Sequence, residues 1–265
     1  MIDSMQLAII KKDLRTIMFN KRLFPVLLII PFVFSVILPT MFVLIILFVP
    51  EGASDFQQLL ELLSITDQGG DSSITLITLI LNNILPIFFI LTPIMVSSVM
   101  AASSFVGEKE KRTLETLLYS PISLKKIFQS KILAALSLSM IVSFLSFLVL
   151  VLTVQLELML FTNHHITLNL ITWFIILFLL SPSLSLLSIT LIVSGSAKAE
   201  TVEESQQRAA FLVLPIILLL VGQFTGIILI NASLLIGLAI IFLLLALLMM
   251  RRSEKKFNYE ELLKQ

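Results

Sequence analysis

No charged side chain occurs between positions 209 and 250, a stretch of 42 residues. As one helix it would reach about 63 Å at 1.5 Å per residue, twice the roughly 30 Å of a bilayer's hydrocarbon core, so it must fold back on itself. The Asn231-Ala232-Ser233 step is the polar interruption near its middle and marks the reversal. Four other uncharged runs, 23–50, 72–107, 132–156 and 166–197, are each long enough for one crossing. The chain therefore reads as all-α, a polytopic membrane protein. Its six transmembrane helices are expected at 24–49, 74–101, 127–153, 168–193, 211–230 and 234–250.

Composition agrees with that class. Apolar residues make up 58% and charged ones 13%, the latter about half the share of an average soluble domain. With six spans both termini lie on one side, and the basic residues show which. All 18 lysines and arginines fall in four segments on that side: the N-terminal stretch, the link between spans 2 and 3 with its flank up to Lys131, the link between spans 4 and 5, and the C-terminal tail. The opposite loops hold Glu51, Asp55, Glu61, Asp67, Asp71 and Glu157 and no basic residue. Cytoplasmic flanks carry the excess of Lys and Arg, so both termini are expected in the cytosol. The net charge of +1 hides this asymmetry and gives no reason to expect nucleic acid as a partner.

The chain divides into an amphipathic interfacial helix at 1–22, a six-helix transmembrane domain at 23–250 with a polar coupling region at 107–126, and a basic cytosolic tail at 251–265. In the first part Leu7, Ile10, Leu14, Ile17 and Met18 share one helical face, with Lys11, Lys12, Asp13 and Arg15 on the rest. With about twenty amphipathic residues before the first apolar run, and that run too long for a signal h-region, the start does not resemble a cleaved signal. Pro25, Pro31 and Pro39 in the first span and Pro86 and Pro93 in the second predict bent helices, because each proline removes a backbone donor. Pro182 and Pro215 make the same case for the fourth and fifth. The outer loop 51–71 is long enough for a short helix around Phe56, Leu59, Leu60, Leu62 and Leu63, closing on a Gly69-Gly70 turn.

Several chemistries are missing. There is no cysteine, hence no disulfide or thiolate metal site. His-Glu-x-x-His is absent, and the two histidines, His164 and His165, are neighbours in an outer loop, which is poor metal-site geometry. No ionisable side chain sits in the middle of a span, as an ion-coupled carrier usually requires. The phosphate-cradling Gly-x-x-x-x-Gly-Lys-Ser/Thr pattern is absent as well. No catalytic or metal-binding residue is expected, and no cofactor on this chain.

What stands out is the polar island at 107–126. A helix from about 109 to 119 would align Leu114, Leu117 and Leu118 on one face, with Glu110, Lys111 and Glu115 around them. Ser120-Pro121 would end it, and Ser123 is placed to cap the next helix. Such a helix, held parallel to the membrane between two spans, suits docking to a partner. A second set of polar residues lies within spans: Asn82 and Asn83 in the second, Ser181, Ser185 and Ser188 on one face of the fourth, and Gln223 inside Gly222-x-x-x-Gly226 in the fifth. These serve helix packing or line a pathway, packing being the commoner use.

The island resembles the permease subunits of ABC transporters of the ABC-2 type, among them bacterial sodium-efflux and antibiotic or lantibiotic-immunity exporters. The likeness rests on Gly107-Glu108-Lys109-Glu110, on Thr113-Leu114-Glu115-x-Leu117-Leu118, on Ser120-Pro121-Ile122-Ser123, and on Lys131-Ile-Leu-Ala. A looser one lies in Val202-Glu203-Glu204-Ser205-Gln206-Gln207 and in Leu214-Pro215. Arg112 stands where many relatives have glycine. The resemblance implies a coupling helix that docks on a cytosolic ABC ATP-binding subunit through Glu110, Arg112, Thr113, Leu114, Glu115, Leu117, Leu118, Ser120 and Pro121. It also implies ATP and Mg on that partner, a second permease subunit, identical or related, in the bilayer, and a place in a bacterial cytoplasmic membrane. The expected function is the non-catalytic permease of an ATP-driven exporter of a solute: an antibiotic, peptide, lipid-like compound or ion. The competing readings are an ion-coupled carrier or channel acting without an ATPase, and a scaffold that recruits a cytosolic partner.

Overall fold

The computed structural model describes residues 3–21, 23–49, 72–110, 123–162, 164–165, 167–196, 199, 201–225 and 231–256. They form eight helices and no strand: α1 (Ser4–Met18), α2 (Leu23–Phe48), α3 (Ser73–Glu110), α4 (Leu124–Phe161), α5 (Leu170–Gly195), α6 (Val202–Ala210), α7 (Val213–Phe224) and α8 (Ala232–Lys256). Six are long and apolar enough to cross a membrane, α6 and α7 counting together as the fifth, Val202–Gln223. The chain is a multi-pass membrane protein. At the reversal Asn231 caps α8: its side-chain oxygen accepts from the Leu234 N–H at 2.9 Å and from the Ser233 hydroxyl at 2.8 Å. The outer loop 51–71 lies outside the described residues.

Two helices outrun their expected bounds. α3 and α4 have 38 residues each, about 57 Å, against a hydrocarbon core of roughly 30 Å. Hydropathy ends a span at its first charges, whereas a helix continues while its polar groups find partners. Ser103, Ser104 and Glu108 continue α3 as buried residues. Glu157, expected in an outer loop, lies on α4, where its carboxylate accepts a hydrogen bond from the Thr40 hydroxyl of α2.

Proline shapes the spans in a regular way. Wide π-helical turns occupy Val33–Ile37, Ile80–Ile84 and Ile176–Leu180, and Pro39, Pro86 and Pro182 each follow two residues after such a turn. In each case the residue before the proline donates its N–H five positions back: Leu38 to Val33, Leu85 to Ile80, Ser181 to Ile176. Proline has no N–H and its ring clashes with the carbonyl four residues earlier. Widening the preceding turn absorbs both defects without ending the helix.

α5 is the central pole. It packs against α3, α4 and α8, and most of its apolar stretch is buried, whereas that of α8 is mostly exposed. Trp173 lies near its start, 5.4 Å from the ring of Phe89 and 5.0 Å from that of Phe147. The outer faces of α2, α4, α7 and α8 present Ile29, Leu152, Leu218 and Leu244 to the surroundings, as a bilayer requires.

Candidate functional site: the charged root of the α3–α4 hairpin

At the end of the bundle that holds the basic segments, α1 lies across the end of α3 and the start of α4. Its first turn is closed by the Asp3 N–H donating to the Gln6 side chain at 3.0 Å. The face turned to the protein is Gln6, Ile9, Asp13 and Ile17, at helical spacing. Of the apolar face expected from patterning, Ile17 is buried and Ile10 and Leu14 pack partly against the core, but Leu7 and Met18 are exposed and Asp13 is only 5% exposed. Patterning cannot weigh a carboxylate whose partners lie more than ninety residues away.

Those partners complete a ring of four alternating charges. Lys12 of α1 donates to Glu108 of α3. The other oxygen of Glu108 receives Lys131 of α4 at 2.7 Å. Lys131 lies 3.9 Å from Asp13, and Asp13 lies 3.8 Å from Lys12. Ser104 fills the middle: its hydroxyl donates to Asp13 at 2.6 Å, while its own hydroxyl and carbonyl oxygens accept from Lys131. Beneath, the Lys131 ammonium sits 5.4 Å above the Phe105 ring, which meets Phe128 edge-on at 5.7 Å. Lys131 is 3% exposed. A buried ammonium is tolerated only when paired and hydrogen-bonded, and here it is both.

Burial pushes the Asp13 carboxyl above the usual aspartate range, against the opposing pull of Lys131 and the Ser104 hydroxyl. For Lys12 burial acts against the charge, but the hydrogen bond and attraction from Glu108 outweigh it, holding the ammonium above the ordinary lysine value. At the rim, Lys126 meets Asp3 at 3.2 Å and lowers the Asp3 carboxyl through that bond.

α6 braces the other side of the α3 end. Its buried side is Val202, Ser205 and Ala209, with Glu203, Glu204 and Gln207 outward. Thr201 caps it by accepting the Glu204 N–H at 3.2 Å. A Cβ on Gly107 would lie 3.5 Å from Val202, an ordinary van der Waals contact, so α6 packs directly on this part of α3. Lys109 reaches the Ala199 carbonyl at 3.4 Å.

Of the docking residues expected from sequence, Glu110 ends α3 and is exposed. Arg112, Thr113, Leu114, Glu115, Leu117, Leu118, Ser120 and Pro121 lie outside the described residues. Ser123 stands at the N-cap of α4, where its carbonyl accepts the first helical bonds while its side chain makes no capping bond. The intramembrane set is dispersed. Asn82 donates to the carbonyls of Thr78 and Thr167 and accepts the Asn169 N–H, tying α3 to the entry of α5. Asn83 bonds back to Leu79 of its own helix. Ser185 and Ser188 donate to the α3 carbonyls of Pro93 and Ile94, while Ser181 and Gln223 are buried in α5 and α7. His165 meets Gln155. Among the described residues no three potential ligands gather for a metal.

Sequence reasoning used Lys131 as a topology signal and, with Glu108, as part of a family motif, placed Asp13 on the polar face of α1, and passed over Ser104; it gave none of them a role in a site. One clue was present: Lys131 falls inside the expected third span, and a charge there needs a partner. No curated protein matches this sequence. The family model described as "ABC-2 family transporter protein" matches residues 7–250, from the exposed face of α1 through the charged ring to the end of the α8 apolar run. The chain thus belongs to the ABC-2 family of transporter proteins, as a membrane-embedded permease subunit of an ABC transporter.

Proposed function

We propose that this permease is driven by a separate cytosolic ATP-binding subunit docking on the segment between α3 and α4, and that it exports a solute. The observation that carries this reading is the hairpin itself. α3 and α4 outrun the hydrocarbon core, and their basic ends are cross-linked by the ring and flanked by α6. A stiff pair of legs suits a lever whose contact element is 110–121. In this reading Leu114, Leu117 and Leu118 pack on the ATPase, and Glu110, Arg112 and Glu115 form the polar rim. The basic end faces the cytosol, with both termini there, and ATP and Mg reside on the partner. Two such permeases, identical or related, would form the translocating unit, switching between inward and outward access as the ATPases close. Membership of the ABC-2 family supports the reading, as does the placement of every basic residue in four segments. Leu117→Asp is expected to leave membrane insertion intact and abolish co-purification of the ATP-binding subunit from detergent extracts. Undiminished recovery of that subunit would defeat the docking assignment.

A further inference from the structure

We infer that α1 is a third arm of the lever: the ring fixes it to both hairpin legs, so that displacement entering through the α3–α4 link carries α1, and through it the start of α2. The inference rests on the reading that this link receives force, and adds a route by which the force spreads.

Position is the first ground. Glu108 is two residues before the end of α3, about 3 Å along the axis, and Lys131 is seven residues into α4, about 10 Å. Among the described residues, the ring is therefore a cross-link close to the link on both legs. Its topology is the second. α1 is held to α3 by two independent hydrogen bonds, Lys12 to Glu108 and Ser104 to Asp13, and Lys131 approaches both carboxylates from α4. The charges alternate and cancel, so sliding α1 along the hairpin would bring like charges together or strand a buried one. The third ground is continuity. Asn20, just past α1, caps α2: its side-chain oxygen accepts the Leu23 N–H at 3.2 Å and its carbonyl the Phe24 N–H at 3.0 Å. Ile17 of α1 and Leu27 of α2 share one buried cluster with the α3 and α4 ends. The outward side of α1 carries Met5, Leu7, Met18 and Phe19 exposed beside Lys11 and Arg15, a surface that suits movement along a membrane interface.

The chain has no cysteine, so spin labels can be placed singly. One pair, Lys11→Cys with Lys125→Cys, reports α1 against α4; a second, Lys125→Cys with Arg252→Cys, reports α4 against α8. Distances are measured on the complex with its ATP-binding subunit in nanodiscs, nucleotide-free and trapped with ATP and vanadate. The expected result is an α4–α8 distance that changes by more than about 2 Å while the α1–α4 distance stays fixed. The variant Lys12→Ala with Asp13→Ala removes the α1 half of the ring and leaves Lys131 paired with Glu108. In it the α4–α8 change should persist, and the α1–α4 distance should change as well. Lys12→Arg, which keeps the cation, should behave as the parent. If the double variant does not reach the membrane, Lys12→Met is used, with the same change in smaller size. An α1–α4 distance that stays fixed in the ring variants, or varies in the parent, overturns the inference while leaving the lever intact. A parent in which the α4–α8 distance does not respond overturns the lever and this inference with it.

Discussion

Two regions of the molecule hold helices together with buried polar groups, and they do so differently. At the hairpin root the groups are charged: Lys12, Asp13, Glu108 and Lys131 alternate around Ser104. Nearer the middle of the bundle, where α3, α4 and α5 meet, they are hydroxyls on backbone carbonyls. Ser139 donates to Pro93 at 2.9 Å and meets Ser185 at 2.8 Å, and Ser188 reaches Ile94 at 3.2 Å. In hydrocarbon a hydroxyl that loses its partner can turn back to its own helix, so each bond is modest. A charge has no such retreat. The root is consequently tied by an all-or-none network, whereas the mid-bundle contact is built from small, separable contributions.

Three substitutions sharpen that contrast. Lys131→Met leaves two buried carboxylates to share the half-exposed Lys12 as their one cation and should cost about 3–5 kcal/mol, seen as a large fall in thermal stability in detergent with loss of α1 protection from proteolysis. A near-parental melting temperature would show that the ring does not bear the docking of α1. Ser188→Ala removes one interhelical bond and should cost about 0.6 kcal/mol, a small shift in the same melting experiment with no effect on α1. A loss comparable to that of Lys131→Met would erase the distinction between the two regions. Asp3→Asn breaks only the exposed pair with Lys126 and should leave the melting temperature unchanged, because solvent screens such pairs. Any clear destabilisation there would extend the network to its rim.

Much of the fold was legible because lipid is a severe solvent. Runs of uncharged residues have to be helices, and the six spans appear where the apolar stretches lie, with Asn231 at the predicted reversal. Helix ends were less legible. The polar continuation of α3 through Glu110 and of α4 through Glu157 is sustained by partners on other helices, which a window along the chain cannot register. Prolines promised bent spans, but only the folded chain shows three of them to follow a π turn. The site divides in the same manner. The island at 107–126 announced itself by local contrast of charge and hydrophobicity. The ring beside it joins residues 12, 13, 104, 108 and 131, whose mutual pairing no single stretch of the chain displays.

By itself, the sequence determined the membrane class, the number of crossings, the sidedness of the basic residues and the family, since each depends on sums along the chain or on a short contiguous motif. Tertiary structure alone decided which face of α1 is buried, which helix is central, and which charges neutralise one another. Those outcomes depend on pairings between distant segments, and a buried charge is stable only where its particular partner arrives.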